Sequence, residues 1–376
     1  MRVALQAVVF AAGAVLVALT VLSAIRSTIL PRGTQSRLSR VVIAAVRAAF
    51  RLRSRTVSSY ERRDRAMAML APIALLCLLA LWLLLILAGF TLTFLAIGGR
   101  SLAWSIELSG SSMFTLGTTS DSHLFPSLLT YAEAGFGLLL VALTITYLPT
   151  IYGAYTRRET GVSLLQVRAG TPPRAATMLI RYQRIEQSRY RLTELWRQWE
   201  VWFTDVEETH TTFPVLVLFR SAERYQSWIA TAGALLDGAS FWAGAVKHPK
   251  DPDVQLCIRA GYLALRRIAD VFGVAYDPDP APDDPISVSR EEWEAAMDEM
   301  EAAGVEVLSD RDAAWRAWKG WRVNYDGVLL KLARLVEAPP APWVSDRSPL
   351  GSDPSWVQRT VVRSRARRPR LTGPRQ

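Results

Sequence analysis

The stretch SSMFTLGTTSDS, residues 111–122, brings hydroxyl side chains and a glycine together between two hydrophobic segments. Hydroxyl oxygens and backbone carbonyl oxygens can replace the water around a cation. Glycine takes backbone dihedral angles that other residues resist, which helps to aim successive carbonyls to one side. The chemistry that these residue types favour is cation coordination, and the candidate ligands are Thr115, Leu116, Gly117, Thr118, Thr119 and Ser120.

No other cluster in the sequence predicts catalysis or metal binding. His210 stands in EETHTTFP, residues 207–214, without the spacing of a zinc-binding HExxH motif. The acidic stretch DPDPAPDDP, residues 277–285, has four prolines and lacks the glycine of a calcium loop, so it is typical of a linker. Cys77 and Cys257 imply no disulfide framework. We therefore expect no enzyme, no metal site, no nucleic-acid partner and no cofactor beyond a permeant monovalent cation.

The candidate ligands must be positioned by membrane-spanning helices. Three apolar segments are long enough to cross about 30 Å of hydrocarbon: Leu5–Ile25, Ala71–Ile97 and about Leu128–Tyr152. The first is expected to be a retained helix rather than a signal peptide. It is too long for one, follows a single arginine and lacks a clear cleavage site of small residues.

Arginines predict the orientation of these segments. Residues 26–66 contain eleven arginines against Glu61 and Asp64, and such an excess in a short loop indicates the cytoplasmic side. Arg157 and Arg158 place the end of the third segment on the same side. The N-terminus is then outside, and a large C-terminal part is cytoplasmic. The preference for arginine over lysine favours a bacterial protein, hence the plasma (inner) membrane. Arginines alternating with apolar residues at 36–55 predict a helix along the inner surface, attracted by anionic lipids.

The segment between the second and third spans, residues 98–127, has the layout of a re-entrant loop. Residues Ser101–Met113 predict a short helix with Ser101 as N-cap and with Trp104 suited to an interfacial position. The polar, hydroxyl-bearing turn follows directly, and then the chain enters the next span. Non-helical backbone at membrane depth is tolerated only where protein buries it or where it lines water. A plain extracellular loop is the alternative.

The third span contains further candidates. Glu133 is a carboxyl group within the apolar segment, and such groups usually face protein or water. It is expected to support the loop from behind, to attract cations, or to be a protonated structural group. Gly135, Gly137 and Pro149 are candidates for a hinge or gate, or for ordinary helix packing, because both residue types are common in membrane helices.

In this order of elements the sequence resembles the potassium-channel pore-loop superfamily, in its two-span form with an added N-terminal helix. The resemblance covers about residues 70–158. Thr115-Leu116-Gly117 stands where the family has Thr-Val-Gly, and LAWSIE, residues 102–107, is similar to a family pore helix that includes Trp104 and Glu107. The family continues Tyr-Gly-Asp, whereas this chain has Thr118, Thr119 and Ser120. The resemblance implies a divergent member with a degenerate filter, weak or altered selectivity and a homotetrameric assembly.

The remainder of the chain has the composition of a helical soluble domain. Apolar residues at helical spacing predict helices within residues 171–185, 192–206, 223–246, 254–272, 289–303 and 310–337. FPVLVLF, Phe213–Phe219, is a strand or a buried turn of helix. Ser289 and Glu292 form a capping-box pattern. The tryptophans at helical spacing are typical of a core rather than of a ligand cage.

The sequence therefore predicts an all-α membrane protein with three transmembrane helices, a re-entrant pore helix and loop between the second and third, and a helical cytoplasmic C-terminal domain. Its segments are the N-terminal helix (1–25), a basic cytoplasmic or interfacial loop (26–66), the pore module (67–158), the cytoplasmic domain (159–338) and a basic, disordered tail (339–376). Two functions are compatible with it. One is a cation channel that its cytoplasmic domain regulates or assembles. The other is a non-conducting membrane scaffold or sensor that retains the channel fold.

Overall fold

The computed structural model describes residues 2–28, 37–54, 67–98, 101–121, 123–185, 191–223, 225–249 and 251–347. Within these ranges every regular element is helical, apart from an isolated antiparallel bridge between Val246 and Val307. Three of the described helices are long and apolar enough to cross a membrane: α1 (Arg2–Thr28), α3 (Leu70–Gly98) and α5 (Leu124–Ala169). The prediction of a helical chain with three apolar helices of spanning length is confirmed.

Helices α1 and α3 cross at a pair of glycines. A Cβ atom added at Gly13 would lie 2.5 Å from the carbonyl oxygen of Gly89 and 2.6 Å from Oγ1 of Thr93. Small residues let two backbones approach closely, and this is how helices associate where no hydrophobic effect drives them together. About two to three turns further along the pair, Trp82 of α3 donates a hydrogen bond from Nε1 to Oγ of Ser23 at 3.2 Å. The two helices therefore form one packed pair.

Helix α2 (Arg37–Ser54) joins the spans to the end of the described chain. Val42 and Val46 pack with the apolar residues of α1 and α3. The buried Arg47 donates to the carbonyl oxygen of Leu335, and Nε of Arg51 donates to Oε1 of Glu337 at 3.0 Å. Burial, together with the charge of Arg51, lowers the pKa of Arg47 to about 10. The basic stretch is thus helical, but two of its arginines face protein; Arg37, Arg40 and Arg53 are exposed.

Helix α4 (Leu102–Met113) is the short helix between the second and third apolar helices. It begins as predicted, because Oγ of Ser101 accepts a hydrogen bond from the backbone N–H of Trp104 at 3.2 Å. It packs between α3 and α5, with Leu108 and Met113 buried in the apolar cluster that those helices share. Its last residue, Met113, lies against Gly137.

Helix α5 runs without a break for 46 residues, from the apolar part of the chain into the C-terminal helical part. It passes through the predicted segment boundary at residue 158 and through Pro149, which stands inside the helix. A proline there removes one backbone hydrogen bond, and the helix continues past it. A single rod therefore connects the two parts of the molecule.

The C-terminal part is a bundle of helices around one core. Its helices are α6 (Ala175–Arg184), α7 (Arg191–Thr212), a 3-10 helix (Pro214–Leu218), α8 (Trp228–Ala245), α9 (Pro252–Val271), α10 (Arg290–Ala302), α11 (Arg311–Arg322) and α12 (Asp326–Leu335). The tryptophans Trp196, Trp199, Trp293 and Trp318 are fully buried in its core, as their helical spacing predicts. Packed chain extends to Val344, which is buried beyond the boundary predicted at residue 338, and residues 348–376 lie outside the described residues.

Two local predictions change in this part. The helix expected to start at Thr171 starts at Ala175, because Thr171 and Pro172 form a turn. The helix expected over residues 310–337 is divided by a turn at residues 323–325. FPVLVLF, for which the sequence left a strand and a buried turn of helix open, forms the buried 3-10 helix. The capping box at Ser289 is present, with both of its hydrogen bonds formed.

The 3-10 helix lies against the start of α3 and the middle of α5. Leu216 and Leu218 share a buried cluster with Leu70 at the start of α3 and Ile151 of α5. Arg158 of α5 is fully buried beside them, and its guanidinium donates to the carbonyl oxygens of Leu216 at 2.8 Å and Phe219 at 2.9 Å. It also bonds Glu159 at 2.6 Å. This cluster is the joint between the apolar helices and the C-terminal bundle.

Candidate functional site

The candidate loop, residues 114–120, begins with a defined helix cap. The backbone N–H of Leu116 donates to the carbonyl oxygen of Ser111 at 2.8 Å, and that of Thr115 donates to Ser112 at 3.0 Å. This pair of bonds is the Schellman pattern, whose left-handed position is usually a glycine. Here Thr115 occupies that position with φ of 54°. A β-branched residue is strained in this conformation, so the rest of the loop must hold it there.

Ser111 provides that hold. Its Oγ accepts the backbone N–H of Thr118 at 2.9 Å and that of Thr119 at 3.2 Å. The side chain is buried at the end of α4, directly beneath the loop. One hydroxyl thereby fixes the second half of the loop to the same helical turn that caps the first half.

These bonds determine where the loop carbonyls point. In a trans peptide group the N–H and the C=O lie in one plane and point in opposite directions. The N–H groups of residues 115, 116, 118 and 119 all point back to Ser111 and Ser112. The carbonyl oxygens of the same peptide groups, which belong to Phe114, Thr115, Gly117 and Thr118, therefore point away from α4. The loop presents a row of carbonyl oxygens on its outer side.

The sign of the backbone angle φ alternates along this row. Thr115 and Gly117 both have positive φ, 54° and 68°, and Leu116 between them does not. When φ alternates in sign, successive carbonyls can point to the same side of a short segment. In an extended strand they point to opposite sides in turn. A Cβ added at Gly117 would meet nothing within 4 Å, so the requirement for glycine there is conformational rather than steric.

Two sources of negative potential lie beside the row. The α4 helix ends at the loop, and the carboxyl end of a helix carries a partial negative charge that favours cations. Glu107, one of the predicted supports, accepts a hydrogen bond at Oε1 from Oγ1 of Thr119 at 2.7 Å. The glutamate therefore holds Thr119 and brings a carboxylate to the far end of the loop. Ser120 is exposed beyond it.

The outer side of the loop is open in a single chain. Phe114, Thr115, Leu116, Gly117 and Thr118 are all exposed, and the Leu116 side chain shows 64% of its surface. Of the row, the Phe114 carbonyl accepts a hydrogen bond from Oγ1 of Thr115 at 2.7 Å. Apolar side chains and outward-facing carbonyls on one surface need a second surface to complete a site. The described residues of one copy do not enclose a path.

Of the other predicted residues, some lie on α4 or contact it and others do not. Trp104 packs against the cluster of α1 and α3, and Glu133 of α5 contacts Ser109 of α4. A Cβ at Gly137 would lie 2.5 Å from the carbonyl oxygen of Met113. Gly135 faces open space. Pro149 is exposed twelve residues further along α5 than Gly137, about 18 Å at the rise of a helix.

Serines of α4 were missed in the sequence. Ser105, Ser109 and Ser111 are all buried on the faces that α4 turns to its neighbours. Their signal is the run SIELSGSSM, in which a short helix between two apolar segments has polar residues where its buried face lies. Among the described residues, no group of three or more His, Cys, Asp or Glu side chains is placed to hold a metal ion.

Comparison of the chain with family models, with curated proteins and with solved structures gives no match.

Proposed function

We propose that this chain is the subunit of a cation channel whose ion path is lined by the loop 114–120. The observation that supports it best is the row of carbonyl oxygens: four backbone N–H groups are used on Ser111 and Ser112, so their peptide oxygens face outward. Such oxygens replace the water shell of a permeating ion. The carboxyl end of α4 and Glu107 add the sign of potential that a cation needs.

The depth of the loop supports a re-entrant path. Met113 lies beside Gly137, thirteen residues from the first residue of α5, which corresponds to about 20 Å of helix. Ser109 lies beside Leu87, eleven residues from the last residue of α3. The chain thus enters between the two helices, turns at the loop and returns to Leu124. In a hydrocarbon layer of about 30 Å, this depth is what the proposed re-entrant turn requires.

A closed path requires several copies, and the resemblance favours a homotetramer. Leu138, Val141 and Ile145 on α5 are exposed apolar residues, available to lipid or to a second copy. We place the protein in the bacterial inner membrane, with the N-terminus outside and the C-terminal bundle in the cytoplasm, because the arginines of α2 and the end of α5 favour that side. The exposed Arg37 and Arg40 would meet anionic lipids there.

Selectivity is expected to be weak or altered. Thr119 stands where the family has its second glycine, and its N–H is bound to Ser111 while its hydroxyl is bound to Glu107. The carbonyl oxygen of Thr119 lies 3.4 Å from Oγ of Ser111 and so faces α4, which ends the row at Thr118. Only a short series of carbonyls remains, and fewer binding positions discriminate less between monovalent ions.

Single-channel recording in planar bilayers, with potassium and sodium on opposite sides, tests the proposal. Wild-type protein is expected to pass cation current, and Gly117→Pro is expected to abolish it, because proline cannot take a φ of 68°. Gly110→Ala is the control, since a Cβ there meets nothing within 4 Å. Absence of current from inserted, oligomeric wild-type protein would refute the proposal.

A non-conducting scaffold is the second candidate, and the exposed apolar residues of the loop favour it. Phe114 and Leu116, 54% and 64% exposed, lie on the surface that would face the axis of an assembly. Packed together from several copies, they would close it. On this hypothesis wild-type protein is silent and Leu116→Ser passes current. If the protein is a channel, wild-type protein conducts without any substitution.

A further inference from the structure

Three oxygen atoms from three helices meet at the buried carboxyl group of α5. Oγ of Ser109 on α4 lies 2.5 Å from Oε1 of Glu133 on α5 and 3.0 Å from the carbonyl oxygen of Leu87 on α3. The side chains of Ser109 and Glu133 are both completely buried. Oε2 of Glu133 has no hydrogen-bond partner among the described residues.

The hydrogens at this junction can be counted. A serine hydroxyl has one proton to donate, and a carbonyl oxygen has none. If Glu133 were ionised, the single proton of Ser109 would have to serve both the carboxylate and the Leu87 carbonyl. One of the two short contacts would then join two acceptors. A protonated carboxyl resolves the count, because Glu133 donates to Ser109 and Ser109 donates to Leu87.

We propose that Glu133 is a proton-binding site, and that the bound proton joins α5 to α4 and, through Ser109, to α3. The proton sits on the carboxyl oxygen and points at Oγ of Ser109, whose own proton points at the Leu87 carbonyl. This chain satisfies every donor at the junction. It also avoids an unpaired charge in a buried, apolar place, which is far more costly than a buried neutral carboxyl.

Among the residues that the structure describes, no cation is placed to favour the ionised form. Helix α3 has no charged residue, and α5 has none between Leu124 and Thr156 other than Glu133. The other charged or titratable groups on the four packed helices in the apolar region are Arg2 and Arg26 on α1, Cys77 on α3, Glu107 on α4, and Tyr131, Tyr147, Tyr152 and Tyr155 on α5. None of those in the described residues forms a hydrogen bond with Glu133, whose partner is Ser109.

The proposal predicts the direction in which pH changes the contact between α4 and α5. The contact between α4 and α5 is complete while the proton is bound and is weakened as rising pH removes it. Because α4 carries the loop at its end, loss of the proton loosens the base on which the loop is fixed. The proton site does not depend on conduction, since a scaffold with this fold would need it equally.

Infrared spectroscopy of the purified protein in lipid bilayers tests the site directly. At neutral pH the wild-type spectrum is expected to contain a protonated-carboxyl C=O band that shifts in D₂O and is missing from Glu133→Gln. Glu107→Gln is the matched control and should keep that band, because the Glu107 side chain is exposed and bonds Thr119 rather than Ser109. If Glu133→Gln instead loses carboxylate absorbance and keeps the protonated band, the proposal is overturned.

A second variant keeps the test decisive if Glu133→Gln does not assemble. Ser109→Ala removes the acceptor of the proton, so the protonated-carboxyl band should move to higher frequency. Ser112→Ala should leave it in place, because the Ser112 hydroxyl bonds the Leu108 carbonyl of its own helix at 2.7 Å. An unchanged band in Ser109→Ala would contradict the assignment. Neither measurement requires current, so failure here and failure of the channel proposal are distinguishable.

Discussion

Ser111 is the residue on which the geometry of the loop depends. Its backbone carbonyl closes the helix cap, and its hydroxyl accepts two N–H groups from the other side of the loop. A strained Thr115 is stable only when its surroundings determine its conformation more strongly than its own preference does. A serine, small and able to accept two bonds, makes that possible inside a packed helix end.

Ser111→Ala is expected to release the second half of the loop. The N–H groups of Thr118 and Thr119 lose their acceptor, which costs about 1 kcal/mol and corresponds to roughly fivefold faster amide exchange. Hydrogen exchange in lipid nanodiscs, followed by mass spectrometry of peptides covering residues 114–120, measures it. Ser112→Ala is the control, as its hydroxyl bonds only within α4. Equal exchange in the two variants would show that the Ser111 hydroxyl does not hold the loop.

His210 gives a prediction about acid stability. The side chain is completely buried, accepts at Nε2 from Nη1 of Arg158 at 3.3 Å and packs on Trp228. Burial lowers the pKa of His210 well below its usual range, and the charge of Arg158 lowers it further. Below about pH 6.5 the unfolded chain therefore binds a proton that the folded chain does not, and stability falls by up to about 1.4 kcal/mol per pH unit.

Thermal unfolding in detergent between pH 8 and pH 5 measures this loss. His210→Gln is expected to have a smaller decrease in midpoint temperature over that range than the wild type, even if its midpoint at pH 8 is lower. His248→Gln, which changes a half-buried histidine stacked on Trp242, should keep the wild-type slope. A wild-type slope in His210→Gln would assign the acid sensitivity to other groups.

At the scale of elements, the close contact between α4 and α5 depends on one glycine. A methyl group at Gly137 would lie 2.5 Å from the Met113 carbonyl oxygen, so α4 would have to move. Gly135, two residues earlier, faces open space. We expect Gly137→Ala to destabilise the protein by about 1–3 kcal/mol and Gly135→Ala to have little effect. Thermal unfolding of the pair checks it, and equal midpoints would argue against the packing of α4 on α5.

Arg158 fixes the joint between α5 and the 3-10 helix. Arg158→Gln leaves the carbonyls of Leu216 and Phe219 without their donor and removes the partner of Glu159, so a loss of about 3 kcal/mol is expected. Arg157→Gln is the control. Arg157 is exposed and pairs with Asp205 at 3.1 Å, a surface contact worth about 0–1 kcal/mol. The midpoints of thermal unfolding should differ by several degrees. A similar midpoint for both variants would show that Arg158 does not stabilise the joint.

At the scale of the whole molecule, the proposed path requires several loops around one axis. In a Cys77→Ser background, Leu116→Cys is expected to form disulfide-linked dimers on mild oxidation, because neighbouring loops meet at the axis. Leu84→Cys, exposed on α3, should remain monomeric. Gel electrophoresis without reducing agent gives the result. Dimers from Leu84→Cys and none from Leu116→Cys would place the interface elsewhere.

The long elements could be predicted from the sequence because their signals are local. Uncharged apolar runs define α1, α3 and α5, and the serine caps at Ser101 and Ser289 mark the starts of α4 and α10. The loop was identified as a candidate for the same reason, since hydroxyls and a glycine between two apolar runs are visible without any long-range contact. The sequence predicts one helix where the structure has two, α11 and α12. The apolar spacing continues across the turn between them, and only packing imposes that turn.

The sequence by itself determined the helical class, the three apolar helices and the position of the loop, because hydrophobic length and helix caps act between neighbours in the chain. The tertiary structure decided which polar groups meet. Arg47 reaches Leu335, Arg158 reaches Leu216, and Glu133 reaches Ser109, across separations that leave no periodic signal in the sequence. A buried polar group must find its partner wherever the folded chain brings one, and that place is fixed only when the helices have packed.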